Sequence, residues 1–85
     1  MQDTSIDQVV KKTIEEVTGN GLNDIRAESD LIEDLGISNS ELLNIVKKIQ
    51  NKLEIELSTE AKEELFKEAE VVQDVVDIIA EEYEF

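Results

Sequence analysis

Eighty-five residues with 22 acidic and 8 basic side chains, a net charge of −14, make one small acidic domain (1–85) with room for a single modest core. The chain has no Cys and no His. That removes disulfides, thiolate metal sites, the cysteine nucleophile and the commonest general base, and with them most enzyme classes. A field of this sign repels nucleic acid and anionic membrane, whose phosphates call for basic patches, and attracts partners with basic surfaces.

With two Phe, one Tyr and no Trp, the core has to be aliphatic. No run approaches transmembrane length, and the opening "MQDTSIDQVV" is acidic and polar, unlike a secretion signal. A cytoplasmic, monomeric, non-enzymatic protein is expected, with no metal required.

The first helix is predicted from about Ser5 to Thr18, where Ile6, Val9, Val10, Ile14 and Val17 recur at the spacing of one buried face. "SIDQ" reads as a capping box, Ser5 covering free backbone N–H groups and Gln8 reaching back. Gly19 or Gly21 supplies the left-handed stop. The connection over residues 20 to 37 carries Leu22, Ile25, Leu31, Ile32, Leu35 and Ile37, too apolar for a free linker, so it is expected to lie on the bundle.

The second helix follows "GIS" and runs to about Leu53. Its main stripe is Leu43, Val46, Ile49 and Leu53, widened by Leu42 and Ile45. "EIELSTE" breaks the period, and Ser58 or Thr59 caps a third helix holding Ala61, Leu65 and Phe66. A last helix, about Val71 to Glu82, places Val72, Val75, Val76 and Ile79 on one face. Val and Ile are middling helix formers, so these segments depend on burial. Period-two alternation is weak except in "LEIEL". The expected fold is all-α, a four-helix bundle with a long first loop and a short third helix.

Chemistry-bearing patterns are few. The carboxylates fall at helical spacing on solvent faces, and "NDIRAESDLIED" has the acids of a calcium loop without its ligand spacing. Gly-rich phosphate cradles, Ser-His pairs and zinc spacings are absent.

At residues 31 to 57 a family likeness emerges. "LIEDLGISNSELLNIVKKIQNKLEIEL" is similar to the central segment of acyl carrier proteins and peptidyl carrier domains. In that family an apolar residue, a short acidic step, Asp-Leu-Gly and an apolar or small residue precede Asp-Ser-Leu at the start of the second helix. Leu31, Ile32, Glu33, Asp34, Leu35, Gly36 and Ile37 match the lead-in without a gap, and "VVQDVVDII" resembles the last helix. The resemblance implies an acyl-carrier-like bundle serving fatty-acid or polyketide biosynthesis and lipid metabolism. Its members carry thioester-linked acyl or aminoacyl groups on 4'-phosphopantetheine. The implied partners are basic-surfaced synthases, ligases or a phosphopantetheinyl transferase.

The departure from the family falls on the functional residue. In the ungapped register Ser38 takes the place of the family's Asp, Asn39 that of the modified Ser and Ser40 that of the Leu. The helix stripe supports this register, because Leu43, Ile45, Val46 and Ile49 then fall where the family's helix is apolar. Sliding Ser40 onto the serine position puts Glu41 and Asn44 at apolar places, and sliding Ser38 onto it displaces Ile45 and Ile49.

An amide nitrogen, delocalised into its carbonyl, is no comparable nucleophile to a hydroxyl, so attachment at Asn39 is not expected. "SNSE" reads as a capping box that engages Ser38. Ser40 lies about 100° further round the helix. Either serine is an alternative attachment site, with Ser40 preferred. An armless interaction module is a further alternative.

The resemblance places partner docking on the second helix, here Ser40, Glu41, Asn44, Lys47 and Lys48. Yet residues 40 to 54 carry Glu41 and Glu54 against Lys47, Lys48 and Lys52, a net of +1. The acids gather instead at 24 to 34 and 60 to 84, so the usual fatty-acid synthesis partners are expected to dock poorly.

Overall fold

A computed structural model describes residues 5–83. The acidic, polar opening expected from the sequence therefore lies partly at residues 1–4, outside the described range. Four helices form the fold: α1 (Ile6–Thr18), α2 (Asn39–Leu53), α3 (Thr59–Lys67) and α4 (Val72–Tyr83). A short 3-10 turn, Leu22–Asp24, lies in the long loop before α2. The expected all-α, carrier-like architecture is what the chain adopts. Among the described residues no helix is long and apolar enough to cross a membrane.

The helices pair through their aliphatic stripes. α1 packs against α2 and α4, and α3 packs against α4. Val10, Ile14, Ile25, Ile45, Val46, Ile49, Leu65, Val72, Val75 and Ile79 are almost wholly buried. Each such side chain removed from water stabilises the fold by about 1.5–3 kcal/mol, which carries the β-branched helices that propensity alone would not. Thr13 is also buried, and its hydroxyl donates to the Val9 carbonyl at 2.7 Å, so no polar group there is left unpaired.

Gly19, at φ +83, ends α1 in the left-handed conformation, whereas Gly21 is extended. Ser5 caps α1 by accepting from the Gln8 N–H at 3.4 Å. The expected return bond from the Gln8 side chain is not formed among the described residues, so the cap is half of the box. At the far end of α2, Glu54 takes the left-handed place at φ +55, and its N–H donates to the Asn51 and Gln50 carbonyls. Ser58, rather than Thr59, caps α3. "LEIEL" is the end of α2 followed by extended chain that buries Leu57, and its alternation does not produce a strand.

The long loop does lie on the bundle, but only one side of it does. Ile25, Leu31, Leu35 and Ile37 are buried, while Ile32 is 72% and Leu22 41% exposed. The reason is a single helical turn over residues 31–35. Asp30 Oδ1 caps it by accepting from the Ile32 and Glu33 N–H groups at 2.9 and 2.8 Å. Gly36, at φ +65, stops it, its N–H donating to the Ile32 carbonyl at 2.9 Å. One turn buries residues four apart, Leu31 and Leu35, and swings Ile32 about 100° away.

The same loop is tied to the α3–α4 connection. The Leu31 N–H donates to the Glu70 carbonyl, the Val72 N–H to Ser29 and the Gln73 N–H to Ala27, at 2.9–3.1 Å. These bonds fix where the loop delivers the chain to α2.

Candidate functional site

The start of α2 is set by what precedes it. Ile37 is buried, and its N–H donates to the Leu31 carbonyl at 2.9 Å, so the capped turn hands the chain directly to Ser38. Ser38 is extended at φ −83, ψ 169 and is the N-cap of α2. Its Oγ accepts from the Glu41 N–H at 3.2 Å, and Glu41 Oε1 accepts from the Ser38 N–H at 3.0 Å. Both bonds of the expected capping box are therefore present.

The cap fixes Asn39 as the first helical residue and Ser40 as the second, and Ser38, Asn39 and Ser40 are all exposed. Asn39 occupies the outward position immediately after the cap. The geometry leaves its amide free to meet a partner, but an amide does not fit a prosthetic group joined through a phosphoester to a hydroxyl. The hydroxyls on either side differ: the Ser38 oxygen is held by the helix backbone, while Ser40 makes no side-chain hydrogen bond among the described residues.

Further along α2, the buried stripe is Leu42, Ile45, Val46, Ile49 and Leu53. Leu43, expected in the main stripe, is 44% exposed. At about 100° per residue it lies at the border of the stripe, and Leu42 takes the inward place. Leu43 thus falls between Asn39 and Lys47, each four residues away, in one row on the outer side. Phe66 of α3 is likewise 38% exposed rather than part of the core.

Of the residues expected to meet a partner, Ser40, Asn44, Lys47 and Lys48 are exposed. Glu41 is half-buried, with its carboxylate on the Ser38 N–H. Lys52 bonds Glu16 of α1 at 3.1 Å, joining the two helices and leaving Lys47 and Lys48 as the outward cations of α2. The acids sit elsewhere. Glu60, Glu63, Glu64 and Glu68 line a shallow hollow on α3 with Lys67. Asp24, Glu28 and Asp34 line another beside the long loop, with Asn20, Arg26 and Ser29. Among the described residues no cluster of three or more acidic side chains is arranged to hold a metal ion.

Sequence reasoning located the cap and the three candidate residues but missed the exposed Leu43, which the hydrophobic period alone assigned to the core. No protein-family model matches the chain.

Proposed function

We propose that this protein is an acyl-carrier-like domain whose prosthetic-group position is filled by Asn39 and is therefore not modified there. The observation that carries this reading is the complete Ser38–Glu41 capping box directly behind the turn over residues 31–35. It sets the helix phase and makes Asn39, not a serine, the first exposed residue of α2.

Such a domain holds partner proteins through its surface. Lys47 and Lys48 make α2 a poor match for the basic docking patches of the usual fatty-acid synthesis enzymes. The acidic α3–α4 side and the long loop are the better match for basic-surfaced enzymes. In this reading the domain is cytoplasmic and monomeric and does no chemistry of its own.

A second reading has one observation in its favour. The exposed Ser40 hydroxyl carries no competing hydrogen bond among the described residues, so a working carrier of thioester-linked groups would use Ser40 before Ser38.

Incubation with coenzyme A, magnesium and a promiscuous phosphopantetheinyl transferase, followed by intact mass measurement, separates the readings. The proposal expects no addition to the unaltered chain and a full addition to Asn39→Ser. A phosphopantetheine on the unaltered chain overturns it, and fragmentation then assigns the arm to Ser40 or Ser38.

A further inference from the structure

Three glycines punctuate this chain, and two of them hold left-handed backbone that other residues adopt only with strain. Gly21 does not. It is extended at φ −71, ψ 149, and a Cβ added there would meet nothing closer than Asp24 Oδ2 at 3.7 Å. Its backbone conformation would suit any residue. What the glycine does supply is an unobstructed N–H directly after Asn20, and among the described residues that N–H makes no hydrogen bond.

The Asn20 side chain, by contrast, is held at both ends of a span. Its Nδ2 donates to Thr18 Oγ1 at 3.0 Å and to the Leu35 carbonyl at 3.1 Å, tying the end of α1 to the turn that delivers the chain to α2. Its backbone N–H also donates to Thr18 Oγ1, at 3.2 Å. Asn20 is half-buried on one side of an open polar hollow lined also by Asp24, Arg26 and Asp34, so water reaches it.

We propose that Asn20 is a site of spontaneous deamidation, restrained by its hydrogen bonds to Thr18 and Leu35, and that the conversion unties the long loop from α1. The Gly21 amide loses its proton to solvent base and its nitrogen attacks Asn20 Cγ. A new C–N bond closes a five-membered imide as the Cγ–Nδ2 bond breaks, and nitrogen leaves as ammonia after taking a proton from water. Water then opens the ring. Breaking the bond from the ring nitrogen to Cγ gives aspartate, and breaking the bond to the main-chain carbon gives isoaspartate. The net reaction consumes one water and releases one ammonia.

Attack requires Cγ to turn toward the Gly21 nitrogen, and the two Nδ2 bonds oppose that turn. After conversion the donor that bound the Leu35 carbonyl has become a carboxylate. Two acceptors face each other across what was a hydrogen bond, and the tether is lost. This inference rests on the loop alone and stands whether or not the protein is a carrier.

The test is peptide mapping with isoaspartate detection after timed incubation of the full chain in neutral buffer and in urea. Companion variants are Thr18→Val, which removes the acceptor, and Gly21→Ala, which the extended backbone accepts. Isoaspartate at Asn20 should accumulate faster in urea than in buffer. In buffer, Thr18→Val should speed it about five- to tenfold or more, the effect of releasing the Nδ2 bond together with the Asn20 N–H bond to the same oxygen, and Gly21→Ala should bring it to background.

Hydrogen exchange of Asn20→Asp should show the Gly36 and Ile37 amides, which close the turn, opening about five- to tenfold faster than in the unaltered chain. Absence of isoaspartate in urea, equal rates in urea and buffer, or unchanged exchange at Gly36 and Ile37 in Asn20→Asp each overturns the proposal.

Discussion

Replacing Ser38 by alanine tests the phase of α2, on which the reading of the site depends. In the structure Ser38 Oγ satisfies the Glu41 N–H at 3.2 Å while Glu41 Oε1 satisfies the Ser38 N–H at 3.0 Å. Alanine removes the first bond directly and leaves the Glu41 N–H without its acceptor, while the Ser38 backbone N–H that binds the Glu41 carboxylate remains. Loss of a serine cap of this kind costs about 1 kcal/mol. With an unfolding entropy of about 2.1 cal/mol/K per residue, a chain of 85 residues loses about 5–6 °C in Tm per kcal/mol.

Ser40→Ala provides the contrast. Ser40 lies inside the first turn, exposed, and alanine is the better helix former there, so its Tm should stay level or rise slightly. Thermal and urea unfolding followed by circular dichroism read both variants, with an unchanged urea slope showing that the folded state is otherwise intact. A loss in Ser40→Ala as large as that in Ser38→Ala, or no loss in Ser38→Ala, would place the helix start elsewhere and remove the ground for putting Asn39 at the attachment position.

Other expectations follow from the same structure. Glu54→Gly relieves a left-handed non-glycine residue at the end of α2 and should leave the protein more stable by about 0.5–1 kcal/mol in urea unfolding. Ile49→Ala opens a hole in the fully buried centre and should cost about 3 kcal/mol, while Ile32→Ser, at an exposed position, should stay within about 0.5 kcal/mol. Glu16→Gln breaks the half-exposed pair with Lys52 and should lower Tm by a few degrees at most, an effect that shrinks as salt rises. The unaltered chain should itself gain Tm from low to moderate salt, because screening weakens repulsion among groups summing to −14.

Much of the fold is legible in the sequence because each helix carries its own local signals. Ser5, Ser38 and Ser58 mark three of the four starts, Gly19 marks a stop, and Val72, Val75, Val76 and Ile79 of α4 face inward as spaced. Legibility ends where a choice depends on a neighbour. Leu42 and Leu43 are adjacent and equally apolar, and only the packing of α2 in the bundle decides that Leu42 turns inward.

The same holds for Ile32, which the loop's apolar content placed on the bundle. Its exposure follows from a single helical turn that Asp30 caps and Gly36 ends, a device written in the sequence but too short to show a period. The bonds that join Leu31 to Glu70, Val72 to Ser29 and Gln73 to Ala27 link backbone groups far apart in the chain and carry no side-chain signature. At the candidate site, residue identity gave the chemistry of Asn39, and the cap geometry gave its place.

The measurement that bears most directly on the central claim is the paired intact mass of the unaltered chain and Asn39→Ser after the same transferase reaction with coenzyme A and magnesium. The account predicts an unchanged mass for the first and a full phosphopantetheine addition to the second, located at residue 39 by fragmentation. Addition to the unaltered chain would contradict it, and so would an Asn39→Ser protein that folds normally and stays unmodified.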